Sequence, residues 1–486
     1  MTPSGSPSGL IALAVVAVVT LARLIMLALD RYDLSGDEAQ YWVWSLDPAL
    51  GYYSKPPLVA WIIHASTAIF GDGTFGVRVA SPLAHAVTAL VLYAVGQRLY
   101  GPRVGMWSAI LYATLPAVFV SSLLISTDPF LLAFWAAALY IAVRLAERDE
   151  ARWWLALGLI VGFGSLAKYA MAMFPVGLAF FFALSPDERR RVSWRGPALA
   201  LAVAFLCYLP NLVWNLEHAF VSYKHTADNA NLAGALTRPF KGVEFILSQF
   251  GVFGLIPFAI LLIAFARPKP LIADTRARLL ASVLAPLGAM MIVVAFLSRA
   301  NANWAAPLYV SATVLVAAWA IERNRAWLLG LAVAIHLAVA GAMAGYHDAV
   351  RLAGVELSGR TDPFKRLLGW RSLGQDVAKV LSAHPKAVLL MEDRMDLATM
   401  IYGTKARAWA KWNPSGRIRD HWDLTADLAR TPAAAFLLVT PNPKPDDITQ
   451  RFSKVTPLGT AGRPLYRDVD RTHHLFLLEG FQGYGR

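Results

Sequence analysis

Residues 8–29, SGLIALAVVAVVTLARLIMLAL, and residues 35–61, SGDEAQYWVWSLDPALGYYSKPPLVAW, set the terms for the rest of the chain. The first run is long enough to cross a hydrocarbon core of about 30 Å, which takes about 20 residues of helix. The second, before the next apolar segment, packs two adjacent acids (Asp37, Glu38), a tyrosine pair (Tyr52, Tyr53), Lys55 and three tryptophans (Trp42, Trp44, Trp61). A plain connector has no use for that mixture. Aromatic rings at a lipid boundary, paired carboxylates and a lysine held by Pro-Pro suit a site that receives a lipid-borne anion.

Composition agrees with a membrane protein. Of 486 residues 57% are hydrophobic and 16% charged, and the mean hydropathy is positive, so most of the chain belongs in lipid. Further apolar runs lie at 76–98, 104–125, 129–146, 152–167, 170–184, 197–214, 244–266, 279–297, 304–321 and 326–345. With the first run these predict a polytopic helical protein of about 11 transmembrane helices, although residues 152–184 barely provide two crossings. A cleavable signal peptide fits poorly, because MTPSGSPSG carries no Lys or Arg and no clear small-x-small site precedes Asp30. The single cysteine, Cys207, sits in an apolar run and allows no internal disulfide.

The formal charge of +13 is topological. With the N-terminus inside, the inner connections carry Arg98 and Arg103, Arg148 and Arg152, Arg189 to Arg191 with Arg195, Arg267 to Arg278, and Arg323 with Arg325. The short outer connections carry few cations, none near Ser126–Pro129, only Lys168 at 168–170 and only Arg299 at 298–303, as the positive-inside rule requires. Nucleic acid is therefore not an expected partner. The odd number of spans puts the part from Tyr346 onward outside the cytoplasm. There GWRSLGQDVAKVLSAHP reads as an amphipathic helix and KAVLLMED, AAAFLLVT and HLFLLEGF as short buried strands. The expected division is a transmembrane domain at 1–345, with its motif-bearing first outer loop at 30–75, and a small α/β extracytoplasmic domain at 346–486.

On this topology the unusual polar residues share one side: Asp37, Glu38, Tyr52, Tyr53 and Lys55, then Asp128, then Lys168, then His218, Tyr223 and His225, then Arg299, Asn303 and Trp304. Ionisable groups at membrane depth are functional candidates by default. Each also has a plainer reading. Asp37 and Asp128 suit helix caps, Lys55, Lys168 and Arg299 suit interfacial anchors, the histidines suit ordinary loops, and the tryptophans suit the interface belt.

A sugar carried on a polyprenyl phosphate would use such a set. Its phosphate leaves readily, so cations need only neutralise the developing charge, and one carboxylate must take the proton of the incoming hydroxyl. Hydrolysis would instead need a matched acid and carboxylate. Asp37-Glu38-Ala39, Ser54-Lys55-Pro56-Pro57, Thr127-Asp128-Pro129-Phe130 and Ala167-Lys168-Tyr169 resemble the corresponding elements of GT-C fold glycosyltransferases. The likeness is to the bacterial relatives of protein O-mannosyltransferases and to the lipid A aminoarabinose transferases. It covers residues 8–230 well and the later helices by general layout.

The resemblance implies an inverting transfer, with Asp37 as the base, Asp128 as the second acid of the cavity and Glu38 sharing or orienting the role of Asp37. It implies Lys55 and Lys168 as phosphate or sugar contacts and Tyr52 and Tyr53 as aromatic contacts. His225, Arg299, Asn303 and Trp304 join them as expected substrate contacts from the outer loops. The aminoarabinose transferases have a Glu before Lys-Pro where this chain has Ser54, which puts any metal contact through that position in doubt. No cofactor is expected with certainty; a divalent cation on Asp37, Asp128 and a histidine stays open, without tight ligand spacing. The expected partners are a polyprenyl-phosphate sugar donor, membrane lipids, and a lipid or glycan acceptor such as lipid A or lipopolysaccharide core, at the periplasmic face of a bacterial inner membrane. The rival reading is a transporter or flippase of an anionic polyprenyl-linked lipid. Paired halves and broken midplane helices, usual in transporters, do not show in the sequence.

Overall fold

The computed structural model describes residues 6–230, 238–298 and 300–485. The chain forms two compact units, one of Met1–Ala28, Lys55–Val59 and Arg78–Gly345, the other of Leu29–Ser54, Ala60–Val77 and Tyr346–Arg486.

The first unit is a helical membrane bundle. Six helices, Pro7–Ala28, Thr74–Tyr100, Asp128–Glu147, Arg195–Glu217, Thr275–Leu297 and Ala326–Ala344, are long and apolar enough to cross a membrane. A seventh span exists if the bent pair Pro102–Thr114 and Pro116–Ser122 is counted as one. The other expected segments form shorter apolar helices such as Ala151–Ala167 and Leu308–Glu322. The 58° bend has a local cause, since Pro116 opens the second helix and breaks the hydrogen-bond ladder at Leu115. Arg23, buried on the first span, donates to the Ala113 carbonyl just before that break, at 2.5 Å. Backbone groups freed inside a membrane need such a partner.

The second unit carries a mixed five-stranded sheet in the order β2-β1-β3-β5-β4. Its strands are β1 (Ala387–Met391), β2 (Trp409–Lys411), β3 (Ala435–Thr440), β4 (Phe452–Ala461) and β5 (His473–Phe481). β1 runs parallel to β2 and β3, while β5 is antiparallel to β3 and β4. The central strands bury both faces, so their sequences, AVLLM and AFLLVT, are continuous apolar runs. The amphipathic helix Trp370–Ala383 precedes β1, and Arg394–Thr404 follows it.

Residues of the first outer loop fold with this sheet-bearing part. The Asp33 carboxylate accepts from the Trp370 and Arg371 backbone N–H groups at 2.9 and 3.1 Å, capping that helix. The Arg371 guanidinium returns to Asp30 and Asp33 at 2.9 and 3.3 Å. Gly36 lies so close to the Arg394–Thr404 helix that a Cβ there would meet Met395 Cβ at 2.6 Å.

A buried ion cluster fixes the far edge of the sheet. Lys411, at the end of β2, pairs with Asp420 and, at 3.0 Å, with Asp423, and all three are buried. Asp420 also caps the short His421–Thr425 helix. Replacing Lys411 by Met strands two acids away from water, and breaking a buried pair costs about 3–5 kcal/mol. Lys411→Met is expected to make residues 387–481 of the full-length protein protease-sensitive at a lower temperature than wild type, read by limited proteolysis across a temperature series.

Candidate functional site

In the membrane unit the sequence candidates come together where helix ends meet. Asp128 is the first residue of its helix and Pro129 follows it, which suits a helix start because proline has no N–H to leave unpaired. The cap position itself is Thr127, without a side-chain cap bond. The Asp128 carboxylate turns elsewhere. Its Oδ1 accepts from Lys168 Nζ at 2.5 Å and its Oδ2 from Asn303 Nδ2 at 2.9 Å. Lys168 ends the Ala151–Ala167 helix in an extended conformation, and Asn303 belongs to a 3₁₀ turn at Ala302–Ala305. Lys55 is near enough for its charge to act on the same carboxylate.

Two ammonium groups, those of Lys168 and Lys55, therefore act on one carboxylate. The Asp128 and Lys168 side chains are 13% and 22% exposed, which leaves the pair open at one edge and poorly screened elsewhere.

Residues that the sequence reading did not single out hold this cluster in place. Gln249 donates to the Ala302 carbonyl at 3.4 Å and accepts from the Tyr309 hydroxyl, and Tyr309 stacks on Phe253 at 4.3 Å. These contacts hold the turn that presents Asn303. Beside Lys168, the Tyr169 hydroxyl reaches Asn211 at 3.5 Å, and Asn215 donates to the Asn211 backbone at 3.0 Å. Tyr208 and Tyr223 join hydroxyls at 2.5 Å alongside. The sequence signal was available: Asn211 and Asn215 stand one turn apart on an apolar helix, where amides are rare without a purpose.

His225 pairs with Asn229 at 2.9 Å on the Val221–Ala230 helix. Trp304 is half-buried and packs against the bundle core beside Asn303. Arg299 lies outside the described residues.

In the sheet-bearing unit, Asp37 opens the Gly36–Leu46 helix but does not cap it. The cap is Ser35, and Glu38 completes a capping box, its carboxylate accepting the Ser35 N–H at 2.9 Å. Glu38 is buried by this task; Asp37 is exposed and has no side-chain partner among the described residues. Tyr52 is buried against Trp44, the rings stacked at 4.5 Å, and its hydroxyl donates to the Trp44 carbonyl at 3.0 Å. Burial pushes that hydroxyl up to about 12. Tyr53 is buried beside it. The tyrosine pair thus builds the loop that carries Asp37. Among the described residues no three of His, Cys, Asp and Glu are grouped to hold a metal.

A helical membrane bundle with this charged cluster at its helix ends has the form of a GT-C class membrane glycosyltransferase. Comparison with solved structures supports the fold: ArnT from Cupriavidus metallidurans bound to undecaprenyl phosphate aligns over 97% of this chain and 98% of its own, with a TM-score of 0.65 and 15% identity. The archaeal oligosaccharyltransferase AglB from Archaeoglobus fulgidus aligns over 88% of this chain and 69% of its own, with a TM-score of 0.52 and 12% identity.

In sequence, residues 54–214 match the model of the dolichyl-phosphate-mannose-protein mannosyltransferase family. The lipid A galacturonosyltransferase RgtD of Rhizobium johnstonii is 39% identical over 320 residues, 66% of this chain and 67% of that protein. The undecaprenyl phosphate-alpha-4-amino-4-deoxy-L-arabinose arabinosyl transferase of Pseudomonas paraeruginosa is 34% identical over 184 residues, 36% of this chain and 32% of that protein. The chain belongs to this family of GT-C membrane glycosyltransferases that draw sugars from polyprenyl phosphates.

The geometry makes Asp128 and Lys168 a coupled pair. Asp128→Asn and Lys168→Met are each expected to lower the melting temperature of the purified protein. The double variant should lose less than the two losses added, with a coupling of about 0.5–3 kcal/mol. Thermal unfolding of the four proteins in one detergent checks this.

Proposed function

We propose that the chain moves one sugar from a polyprenyl-phosphate donor to lipid A or a neighbouring lipopolysaccharide-core or envelope glycan acceptor, at the periplasmic face of a bacterial inner membrane. The observation that carries the reading is the Asp128 carboxylate bonded to Lys168 and Asn303 from the ends of separate elements, with the Lys55 charge acting on the same group. A phosphodiester donor carries one negative charge and its departing phosphate carries two, so fixed cations stabilise the leaving group more than the substrate.

In the reaction the acceptor hydroxyl oxygen bonds to the anomeric carbon as the bond from that carbon to the phosphate oxygen breaks. The hydroxyl proton passes to the Asp37 carboxylate, and the electron pair leaves with the lipid phosphate. Configuration inverts. Asp37 suits the base role because it is exposed and has no side-chain partner among the described residues, whereas Glu38 closes the capping box at the helix start beside it. Asn303 and Lys168 orient Asp128, and Asp128 keeps Lys168 aimed at the donor. Trp304, Tyr53, Arg299 and His225 stay as further proposed substrate contacts. The likeness to a galacturonosyltransferase, together with the cations Lys55 and Lys168, favours an acidic hexose as the donor sugar.

The same reading gives 11 crossings, all the shorter apolar helices but Leu58–Phe70 included, with the N-terminus in the cytoplasm, residues 1–345 as the transferase domain and residues 346–486 outside the cytoplasm. The outer part would select the acceptor.

Asp37→Asn should lower transfer by about 10²–10⁴-fold, the usual contribution of a positioned base. Mass spectrometry of envelope lipids from cells with the wild-type chain, Asp37→Asn or neither is expected to show one sugar-sized mass lost in the last two. Retention of that mass at the wild-type level in Asp37→Asn removes Asp37 as the base. An acidic sugar predicts a hexuronic-acid increment; any other mass corrects the donor.

A further inference from the structure

An apolar groove of about 510 Å³ runs along the membrane unit at the end away from Asp128. Its wall includes Trp154, Val161, Leu178, Phe182, Ala200 and Ala204, from three helices, and Arg189 is the charged residue in an otherwise apolar lining. Trp154 and Lys168 mark opposite ends of the same helix, about 20 Å apart at 1.5 Å per residue. The Trp154 end of the groove therefore lies about 20 Å along the helix from the proposed donor phosphate site, toward the opposite face of the membrane.

Its dimensions are those of a lipid tail. From Trp194 at the mouth to Ala204 at the inner end the Arg195–Glu217 helix rises about 15 Å, half of a hydrocarbon core of about 30 Å. The groove is one leaflet deep. Its floor is fixed by a close helix approach, because a Cβ on Gly158 would meet the Ala200 carbonyl oxygen at 2.6 Å. Its mouth is cationic and aromatic. Trp194 is 76% exposed, as a belt residue is. Arg189, Arg191 and Arg195 stand exposed around it without an ion-pair partner among the described residues, whereas Arg190 leans on Asp187 at 3.7 Å and Arg278 on Glu188 at 3.9 Å.

We propose that this groove is a phospholipid site, one acyl chain of an anionic phospholipid lying between the helices with its phosphate among Arg189, Arg191 and Arg195. Apolar burial supplies the affinity, at about 0.8 kcal/mol per CH₂, and juxtamembrane arginines select negative headgroups. The site is independent of the transfer reaction: it holds lipid from the leaflet opposite the proposed donor site.

The full chain, reconstituted in vesicles of equal parts phosphatidylglycerol and phosphatidylethanolamine and re-extracted in mild detergent, is weighed by native mass spectrometry. Phosphatidylglycerol should be retained in several-fold excess. Arg189→Ala combined with Arg191→Ala should level the two lipids. Ala179→Phe with Ala183→Phe, at exposed wall positions, should fill the groove and abolish retention, while Lys55→Ala should retain phosphatidylglycerol as wild type does. Equal retention of both lipids by the wild type, or undiminished retention in the filled variant, overturns the proposal. So does displacement of phosphatidylglycerol by added undecaprenyl phosphate, which would make the groove part of the donor path. If the filled variant fails to fold, the arginine variant and the displacement arm decide.

Discussion

A carboxylate at the end of a membrane helix must be matched, and the membrane unit is arranged to match Asp128. Water is scarce there, so a lone negative charge would either take up a proton or pull the helix end toward the headgroups. Lys168 and Asn303 prevent both. They arrive from the end of one helix and from a 3₁₀ turn ahead of another, and each is held by a buried polar contact of its own, through Tyr169 and Asn211 for the first and Gln249 and Tyr309 for the second. Removing the charge from Asp128 would therefore loosen two loops as well as one ion pair. The prolines follow the same logic. Pro129 and Pro116 each begin a helix, which places irregular backbone where buried partners such as Arg23 can satisfy it.

The loop that carries Asp37 follows a different rule. Its stability comes from aromatic packing and local caps: Trp44 against Tyr52, Trp42 donating to Asp72 at 3.1 Å, Ser35 and Glu38 closing the helix start. Ser35 and Glu38 are occupied by the cap, whereas Asp37 is exposed and has no side-chain partner among the described residues. In the proposed reaction a general base has to be reachable, and an exposed side chain at a fixed helix start meets that condition without moving its neighbours.

Much of this was legible in the sequence because the signals are local or periodic. Apolar runs gave the bundle, and Asp128, Lys168 and Asn303 stood out as polar residues at the ends of such runs. The span count was less legible: runs such as 152–167 are apolar enough for a membrane, yet form helices shorter than the longest spans. The double role of the tyrosine pair was also hidden. Tyr52 looks like a substrate contact until its stacking on Trp44 is seen, because a ring spent on packing and a ring offered to ligand have the same letter. Glu38 is the converse case, since a Ser-x-x-Glu spacing at 35–38 is a capping box by pattern alone. The adjacent Asp37 drew that reading toward chemistry. The pairing of Asn303 with Asp128 spans 175 positions, and no local pattern carries it.

The charge count also bears on what kind of donor the chain can use. A neutral cluster would bind the donor and the departing phosphate about equally and gain little in rate, because binding shared by ground and transition states leaves the barrier unchanged. In the proposed reaction the Lys55 and Lys168 cations, both acting on Asp128, would meet a second negative charge only as that charge forms on the phosphate. Asp128 has a purpose in this scheme that a neutral residue would not serve. It keeps the Lys168 ammonium in place before donor arrives, so little reorganisation remains for the reaction itself, and it offsets part of the lysine charge so that the spent lipid phosphate is not held too tightly to leave. A third lysine in place of Asn303 would stabilise the phosphate further and slow its release. An amide at that position, neutral and with a hydrogen to give, orients the carboxylate without changing the count.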